Sequence, residues 1–304
     1  MDLIINLERL PQPGETLLGR DATYAQGGKG ANQAVAAARL GATTHLIGRL
    51  GRDAFAAQIR QGLAADGVDL ACVSESPDAA TGVAVIMLVR GENSIVVANG
   101  ANDAVSPGDI DGARAVIGRS QALLTQLEIP LATVEYALAT GRASGAITVL
   151  DPGPAQPCAP SLLALADYIT PNQTEAHALS GVEATDWEGA RRAAEQLLRH
   201  VRRGVIVKLG GAGALVLDHA SEERIEGLAV PVVDTTAAGD AFCAALALAL
   251  ADGMSLADAA RFANVVGALT VARLGAQPSL PTMAEVRRFA AERGLTVTLP
   301  GAAG

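Results

Sequence analysis

Residues 122–172 read ALLTQLEIPLATVEYALATGRASGAITVLDPGPAQPCAPSLLALADYITPN, and their rhythm decides the fold class. Short apolar runs (ALLTQLE, AITVLDPGPA and DYITPN) alternate with helical stretches, LATVEYALATGRAS and a shorter one from Ser161. Nearly continuous apolar strands separated by helices indicate a parallel sheet covered on both faces. The pattern continues through helices QTEAHALSG and DWEGARRAAEQLLRH to strand GVIVKLGGAG. In such folds a ligand sits beyond the carboxyl ends of the strands. Polar residues stand where the expected strands stop: Glu128, Asp151, Asn172 with Glu175, Lys208 with GGAG, and Asp234. An acid after a strand is also an ordinary helix cap. Five strand ends carrying such residues on one expected rim point instead to a site.

Upstream the chain mixes strands with helices. DLIINL, TLLGR and ATYAQ suit short strands, with Pro and Gly between them. ANQAVAAARLG reads as a helix stopped by Gly41. THLIGRLG reads as a buried strand and DAFAAQIRQGLAADG as a helix capped by Asp53. TGVAVIMLV and NSIVVANG form an expected hairpin about the turn RGEN. There is no internal repeat and no low-complexity linker.

Half of the 304 residues are apolar but only 3% are aromatic, so the core must be packed from Ala, Val, Leu and Ile. A net charge of −9 argues against a nucleic-acid partner, which wants a basic face. The basic run RHVRRG at Arg199–Gly204 does not alter this; it falls at an expected helix end, where cations offset the dipole. Cys72, Cys158 and Cys243 are scattered, without metal-ligand spacing, as in a reduced compartment. No signal peptide and no apolar run of about 18 residues is present. The expectation is a cytoplasmic protein with no membrane partner.

Four motifs carry chemistry. In QGGKGANQA, Gln26–Ala34, adjacent glycines let a backbone approach a ligand closely. The loop is not a Walker A sequence, and a glycine turn opening a helix, with Lys29 solvated, would look the same. Asn32 either aims its amide at a sugar hydroxyl or caps. In TPNQTEA, Asn172 and Glu175 share one face at a helix start, which is also the pattern of a capping box. VKLGGAGALVL, Val207–Leu217, has a Gly-rich strand-to-strand turn that can lie flat on a nucleotide's phosphates and ribose and can equally be an ordinary hairpin. In DTTAAGDAF, Asp234–Phe242, residues with almost no side chains precede Asp240 at the mouth of an apolar helix. A structural Asp would cap that helix. In the chemical reading the amides of Ala237, Ala238 and Gly239 hold a transferring phosphoryl group, and Asp240 accepts the proton of the attacking hydroxyl. Phosphoryl transfer is catalysed mainly by positioning and charge stabilisation, so this small set is sufficient.

GGKGANQAVAAARLGATTHLIGRLG and DTTAAGDAFCAALA resemble the two signatures of the ribokinase family, the carbohydrate kinases of phosphofructokinase-B type. The similarity runs in family order through PGETLLG, LTQLEIP, LDPGPA, TPNQTEA, KLGGAG and GAQPS, over nearly the whole chain. It implies a doubly wound α/β core, 27–81 and 100–304, with a small β lid from 1–26 and 82–99 that is often the dimer contact. It implies ATP-dependent phosphorylation of the 5-hydroxyl of D-ribose to ribose 5-phosphate. Asp240 would be the general base and Ala237–Gly239 the anion hole. Sugar contacts would fall on Asp2, Gly28, Lys29, Asn32, Glu128 and Asp240. ATP contacts would fall on Asn172, Lys208, Leu209, Gly210, Gly211, Ala212, Gly213, Gly239 and Asn264. Glu175 would be linked to Mg²⁺, and K⁺ would lie near Asp234, Thr236, Thr270, Arg273, Gly275 and Ser279. Other outcomes are a kinase for another small sugar or nucleoside, such as deoxyribose or fructose, and a degenerate relative that binds without turnover.

The chain departs from the family pattern in places. Lys208 stands where Thr is more usual, and Cys243 where Asn is often found. Members usually begin with an apolar strand and a GSxNxD-like segment, of which only Asp2 is present. The expectation is a native start upstream of Met1, with such a strand.

Overall fold

The computed structural model describes residues 1–89 and 92–301. The chain opens with β1 (Asp2–Leu7), β2 (Asp21–Ala25), α1 (Lys29–Arg39), β3 (Gly48–Leu50), α2 (Ala54–Ala65) and β4 (Val73–Glu75). Then follow β5 (Val83–Val89), β6 (Glu92–Ala98), α3 (Pro107–Gly112) and α4 (Arg114–Ile117). The alternating part is β7 (Ala122–Thr125), α5 (Leu131–Ala143), β8 (Ile147–Leu150), α6 (Pro160–Leu163), β9 (Tyr168–Ile169), α7 (Gln173–Ser180), α8 (Trp187–Leu198) and β10 (Gly204–Lys208). It closes with β11 (Gly213–Asp218), β12 (Glu222–Glu226), α9 (Ala238–Ala251), α10 (Leu256–Val271) and α11 (Met283–Glu292).

The main sheet has six strands in the order β12-β11-β10-β9-β8-β7. Strands β7 to β10 are parallel, and β11 and β12 add antiparallel. Both faces are covered, and the strands show this by period-2 alternation. Val205, Val207, Leu215 and Leu217 face a core built with α5, α6, α7 and α8. Ile206, Ala214 and Val216 face the opposite core, built with α1, α9 and α10. The strand order never reverses. The connecting helices therefore fill one face, and elements from before and after the strands fill the other. Helix α9 packs against both α1 and α10. Ten of its residues from Asp240 to Leu250 are buried, which its Ala-rich sequence permits at close range.

A second sheet, β2-β1-β5-β6, pairs β1 with β5 in parallel and is otherwise antiparallel. Its exposed apolar residues include Tyr24, Ile95, Val96 and Val97.

Several sequence expectations are corrected. TLLGR forms no strand: Gly19 lies against the Ile5 side chain, and the mostly exposed segment touches β1 through one bond from Arg20 N to Asn6 O. THLIGRLG yields only three half-buried strand residues, which pair with β4 outside the main sheet. Arg202 and Arg203 do not merely offset a helix dipole; both pair with the buried carboxylate of Asp167. Arg90 and Gly91 of the expected RGEN turn lie outside the described residues. Asp53 caps α2 as expected, accepting from Ala56 N at 2.9 Å.

The β10–β11 connection is tightest at Gly213, where φ is +109° and a Cβ would lie 1.9 Å from the Ile225 carbonyl oxygen. Left-handed backbone and a collision with backbone act together here. Gly213→Ala should therefore destabilise the fold by about 3 kcal/mol or more. A melting temperature unchanged from wild type would contradict this packing.

Candidate active site

Six chain segments meet at the carboxyl ends of the main strands. Helix α1 starts at Lys29, whose backbone N–H donates to Glu128 Oε2 at 3.0 Å, just past β7. Its ammonium donates to Asp151 Oδ2 at 3.2 Å, just past β8. Lys208, the last residue of β10, donates to the other oxygen of Asp151 at 3.1 Å. One turn into α1, Asn32 Nδ2 donates to Asp240 Oδ2 at 2.9 Å. Gln33 Nε2 bridges Asp151 Oδ2 at 3.1 Å and Asp240 Oδ1 at 3.3 Å. Lys29 Nζ stands 3.7 Å from Asp240 Oδ1. Asp2 lies close by, its carboxylate against Gly27. Asp2, Gly28, Lys29, Asn32, Glu128 and Asp240 are thus brought together. Asn32 Oδ1 is buried without a hydrogen-bond partner among the described residues.

Asp240 lies in the first turn of α9. The turn before it is held by Asp234, whose Oδ1 accepts from Thr236 N at 2.9 Å and from the Thr236 hydroxyl. Ala237 follows with φ 61°, a left-handed conformation that costs a non-glycine residue about 1 kcal/mol or more. Of the three amides expected to form an anion hole, that of Ala238 is already bonded to Thr235 O at 3.3 Å. The Ala237 and Gly239 amides have no bond among the described residues. A helix N-terminus with free N–H groups is a ready anion site.

On the other side of Asp240, Asn172 and Glu175 form a reciprocal capping box on α7, with bonds of 2.8 Å each way. The capping reading of this pair is therefore realised, but it occupies only Glu175 Oε2. A Cβ on Gly153 would lie 2.7 Å from both Glu175 Oε1 and Lys29 Nζ, so the second oxygen faces the cluster. Leu209, Gly210, Gly211, Ala212 and Gly213 form the β10–β11 turn. Its neighbour Gly227 donates to Ala212 O at 3.0 Å, and Asn264 Nδ2 donates to Glu226 O at 2.9 Å, which puts Asn264 beside the turn. Lys208 itself points inward rather than over the turn.

The expected K⁺ residues fall into two groups. Asp234 Oδ2 accepts from Gly275 N at 2.8 Å, which joins the two segments. Three side chains are engaged elsewhere. Thr270 Oγ1 donates to Val266 O, Arg273 pairs with Glu285, and Ser279 Oγ donates to Ala276 O. The Thr270 and Ser279 hydroxyl oxygens keep lone pairs for an ion, whereas Arg273 can offer only its backbone carbonyl. Among the described residues no three His, Cys, Asp or Glu side chains cluster so as to hold a metal ion by themselves.

Residues 1–283 match the family model described as pfkB family carbohydrate kinase. The chain is 40% identical to a ribokinase of Haemophilus influenzae, over 95% of this chain and 94% of the relative. It is 37% identical to a ribokinase of Staphylococcus aureus, over 95% and 96% respectively. Among solved structures, Arabidopsis thaliana ribokinase complexed with ribose and ATP superposes with a TM-score of 0.88 at 33% identity, covering 98% of this chain and 96% of that one. The chain belongs to the pfkB family of carbohydrate kinases.

In a carbohydrate kinase the electrostatics of this cluster gain a chemical meaning. Burial pushes the Asp240 carboxyl up to about 6, a rise that nearby Asp151 reinforces and Lys29, Asn32 and Lys208 oppose. Burial alone would depress the Lys29 ammonium, but Asp151, Asp240 and Glu175 outweigh it and hold the group above its ordinary range. Lys208 is held up likewise, chiefly by Asp151. Asp151 would rise by burial, yet the two ammonium groups keep it below its ordinary value. Burial raises Glu128 and Asp2. It also pushes the Cys243 thiol up to about 12, with Sγ 3.1 Å from Thr170 Oγ1 and 3.5 Å from Lys208 Nζ. The motif reading of the kinase missed Gln33, Thr170 and Cys243 as members of this cluster. Only the strand-end position marked Asp151.

No helix among the described residues is long and apolar enough to cross a membrane. The raised Asp240 yields a stability prediction. The ionised carboxylate opposes folding, by nothing below its ordinary pKa near 3.8 and fully above about 6. The full effect is about 3 kcal/mol at 1.36 kcal/mol per pKa unit. Asp240→Asn should therefore raise the melting temperature at pH 8 and raise it less at pH 5. An equal change at both pH values would count against a buried, ionised Asp240.

Proposed function

We propose that this kinase transfers the γ-phosphoryl group of ATP to the 5-hydroxyl of D-ribose, giving ribose 5-phosphate and ADP. The observation that carries the reading is Asp240, a carboxylate buried at the N-terminus of an apolar helix and held by Asn32 and Gln33. The ribose 5-oxygen attacks the γ-phosphorus while Asp240 takes its proton, and ADP leaves with the bridging electron pair. The Gly239 and Ala237 amides face the charge that develops on the phosphoryl oxygens. Asp2, Gly28, Lys29, Asn32 and Glu128 hold the sugar hydroxyls, with Asn32 Oδ1 accepting from one of them. Asn172, Asn264 and the Leu209–Gly213 turn bind ATP, with Lys208 at the base of its phosphate path.

Two ions fit the residues present. Glu175 offers the free oxygen Oε1 to Mg²⁺, which is usually bound by one or two carboxylates with substrate phosphates. Mg²⁺ supplies charge neutralisation on ATP. Asp234 and backbone or hydroxyl oxygens of Thr236, Thr270, Arg273, Gly275 and Ser279 would hold K⁺, and its charge would steady the turn ahead of Ala237.

A coupled ADP-release assay over a panel of sugars tests the whole reading. Ribose should be preferred over deoxyribose and fructose, and K⁺ should support more activity than Na⁺. The rate should fall as pH drops through about 6, where Asp240 protonates. Asp240→Asn should lose about 10²–10⁴-fold in kcat. A mutant within threefold of wild type would reduce Asp240 to a helix cap, and equal rates in the two salts would remove the K⁺ site.

The second sheet supports a lid over the sugar that is also a dimer contact. Ile95, Val96 and Val97 on its edge strand are each more than half exposed, as is Tyr24 on the opposite edge. Such apolar strand surface is a ready pairing face. Ile95→Asp with Val97→Asp should turn a dimer into a monomer in analytical ultracentrifugation. A wild-type monomer at micromolar concentration would refute the contact.

A further inference from the structure

Asp151 is fully buried, yet it does none of the work that usually explains an acid after a strand. It caps no helix: the next one, α6, begins at Pro160 with Ala159 in the cap position. Its side-chain partners are all members of the site. Oδ2 takes Lys29 and Gln33, and Oδ1 takes Lys208. The two lysines approach from opposite directions. Lys29 opens α1 beside Glu128 and Asp240. Lys208 ends β10, and its ammonium lies 3.5 Å from where a Cβ on Gly239 would be. Two buried ammonium groups this close repel each other, and a carboxylate between them is what fixes their separation.

The geometry points to Asp151 as the positioning residue of the transfer: one buried carboxylate that holds Lys29 on the acceptor side of Asp240 and Lys208 on the phosphate side. This rests on the phosphoryl-transfer reading above and adds to it how two cations are aimed. Without the Asp151 charge, Lys29 retains Asp240 and Glu175 as anionic neighbours but loses the hydrogen bond that fixes its ammonium beside the base. Lys208 loses its one ion pair among the described residues and keeps Glu175 as a more distant anionic neighbour.

The consequence reaches the base. The charged groups facing Asp240 are Lys29 from α1, Asp151 from the end of β8 and Lys208 from β10; Asn32 and Gln33 bind it as neutral amides. Asp151→Asn removes the negative neighbour and leaves both cations, so Asp240 becomes more acidic. The acid limb of kcat/KM should move to lower pH, and kcat should fall about 100-fold, the loss expected of a misplaced catalytic array. A fold defect alone would lower the active fraction and leave the limb in place.

Asp151→Asn strands the buried Lys208 ammonium and can fail to fold, so Lys208→Met and the double variant Asp151→Asn/Lys208→Met are measured alongside. The double variant has no stranded charge. It should be at least tenfold slower than Lys208→Met alone, because Lys29 is released as well, and its acid limb should also lie below that of wild type. A double variant equal to Lys208→Met would mean that Asp151 only neutralises Lys208 and would overturn the proposal. So would an unmoved acid limb in every folded variant lacking Asp151. Wild-type turnover of ribose in the same assay is the control: if it is missing, the functional reading fails, whatever the variants do.

Discussion

Two buried carboxylates and two largely buried ammonium groups meet under the N-terminus of α9, and the surrounding fold is arranged around keeping them there. Asp151 and Asp240 set against Lys29 and Lys208 sum to zero charge (−2 and +2). Taking each ion out of water costs several kcal/mol even after relaxation, so the cluster persists only with close pairing and satisfied lone pairs. Every partner comes from a rigid element end. Lys208 ends a central strand, Asp151 follows another, and Lys29, Asn32 and Gln33 sit in the first two turns of one helix. Loops alone would not hold four charges to a few tenths of an ångström.

Small side chains make that rigidity possible. Helix α9 runs AGDAFCAALALALA and α1 runs KGANQAVAAAR. With Ala on their facing surfaces the two helices approach closely, and the short amides of Asn32 and Gln33 reach Asp240 directly. Larger core residues would hold α1 and α9 further apart and open that bond. The scarcity of aromatics therefore belongs to the same design as the site. The cost appears one residue earlier, where Ala237 adopts a left-handed conformation to turn the chain into α9.

Much of this was legible from residue order. Strand–helix alternation after residue 105 specified the sheet and the helical layer on one face, because each signal is local and periodic; α1, α9 and α10 on the other face lie outside that alternation. The exception, THLIGRLG, shows the limit of that logic. An apolar run bounded by glycines reads as a strand, but its pairing partner is decided by tertiary packing, here the short β4. Within the site, Lys29, Asn32 and Asp240 stood out because glycines and helix starts frame them. Gln33 did not, since an amide inside a helix carries no mark until a partner 207 residues away is known. Asp151 was visible only as an acid at a strand end. Its two lysines lie 122 and 57 residues off, and no local pattern encodes that meeting. The capping box on Asn172 and Glu175 shows the converse: local and functional readings can both hold, because a carboxylate has two oxygens and the cap uses one.

The arrangement also explains how a base this buried remains usable. A carboxylate accepts about four hydrogen bonds, and the Asp240 side chain receives one each from Asn32 and Gln33, with Lys29 too distant to count as a third. Acceptor capacity is thus left for a hydroxyl. The neighbouring Asn32 turns its donor to Asp240 and leaves its own oxygen without a partner among the described residues. A lone water could donate to both groups, but a polyol does so with two hydroxyls at a fixed spacing, so it is oriented as it is bound. Holding Asp240 near 6 keeps most of it ionised at neutral pH while leaving it basic enough to take a proton as the new P–O bond forms. Burial supplies that basicity and the two lysines restrain it. The same charges that make the cluster costly to bury therefore set the strength of the base.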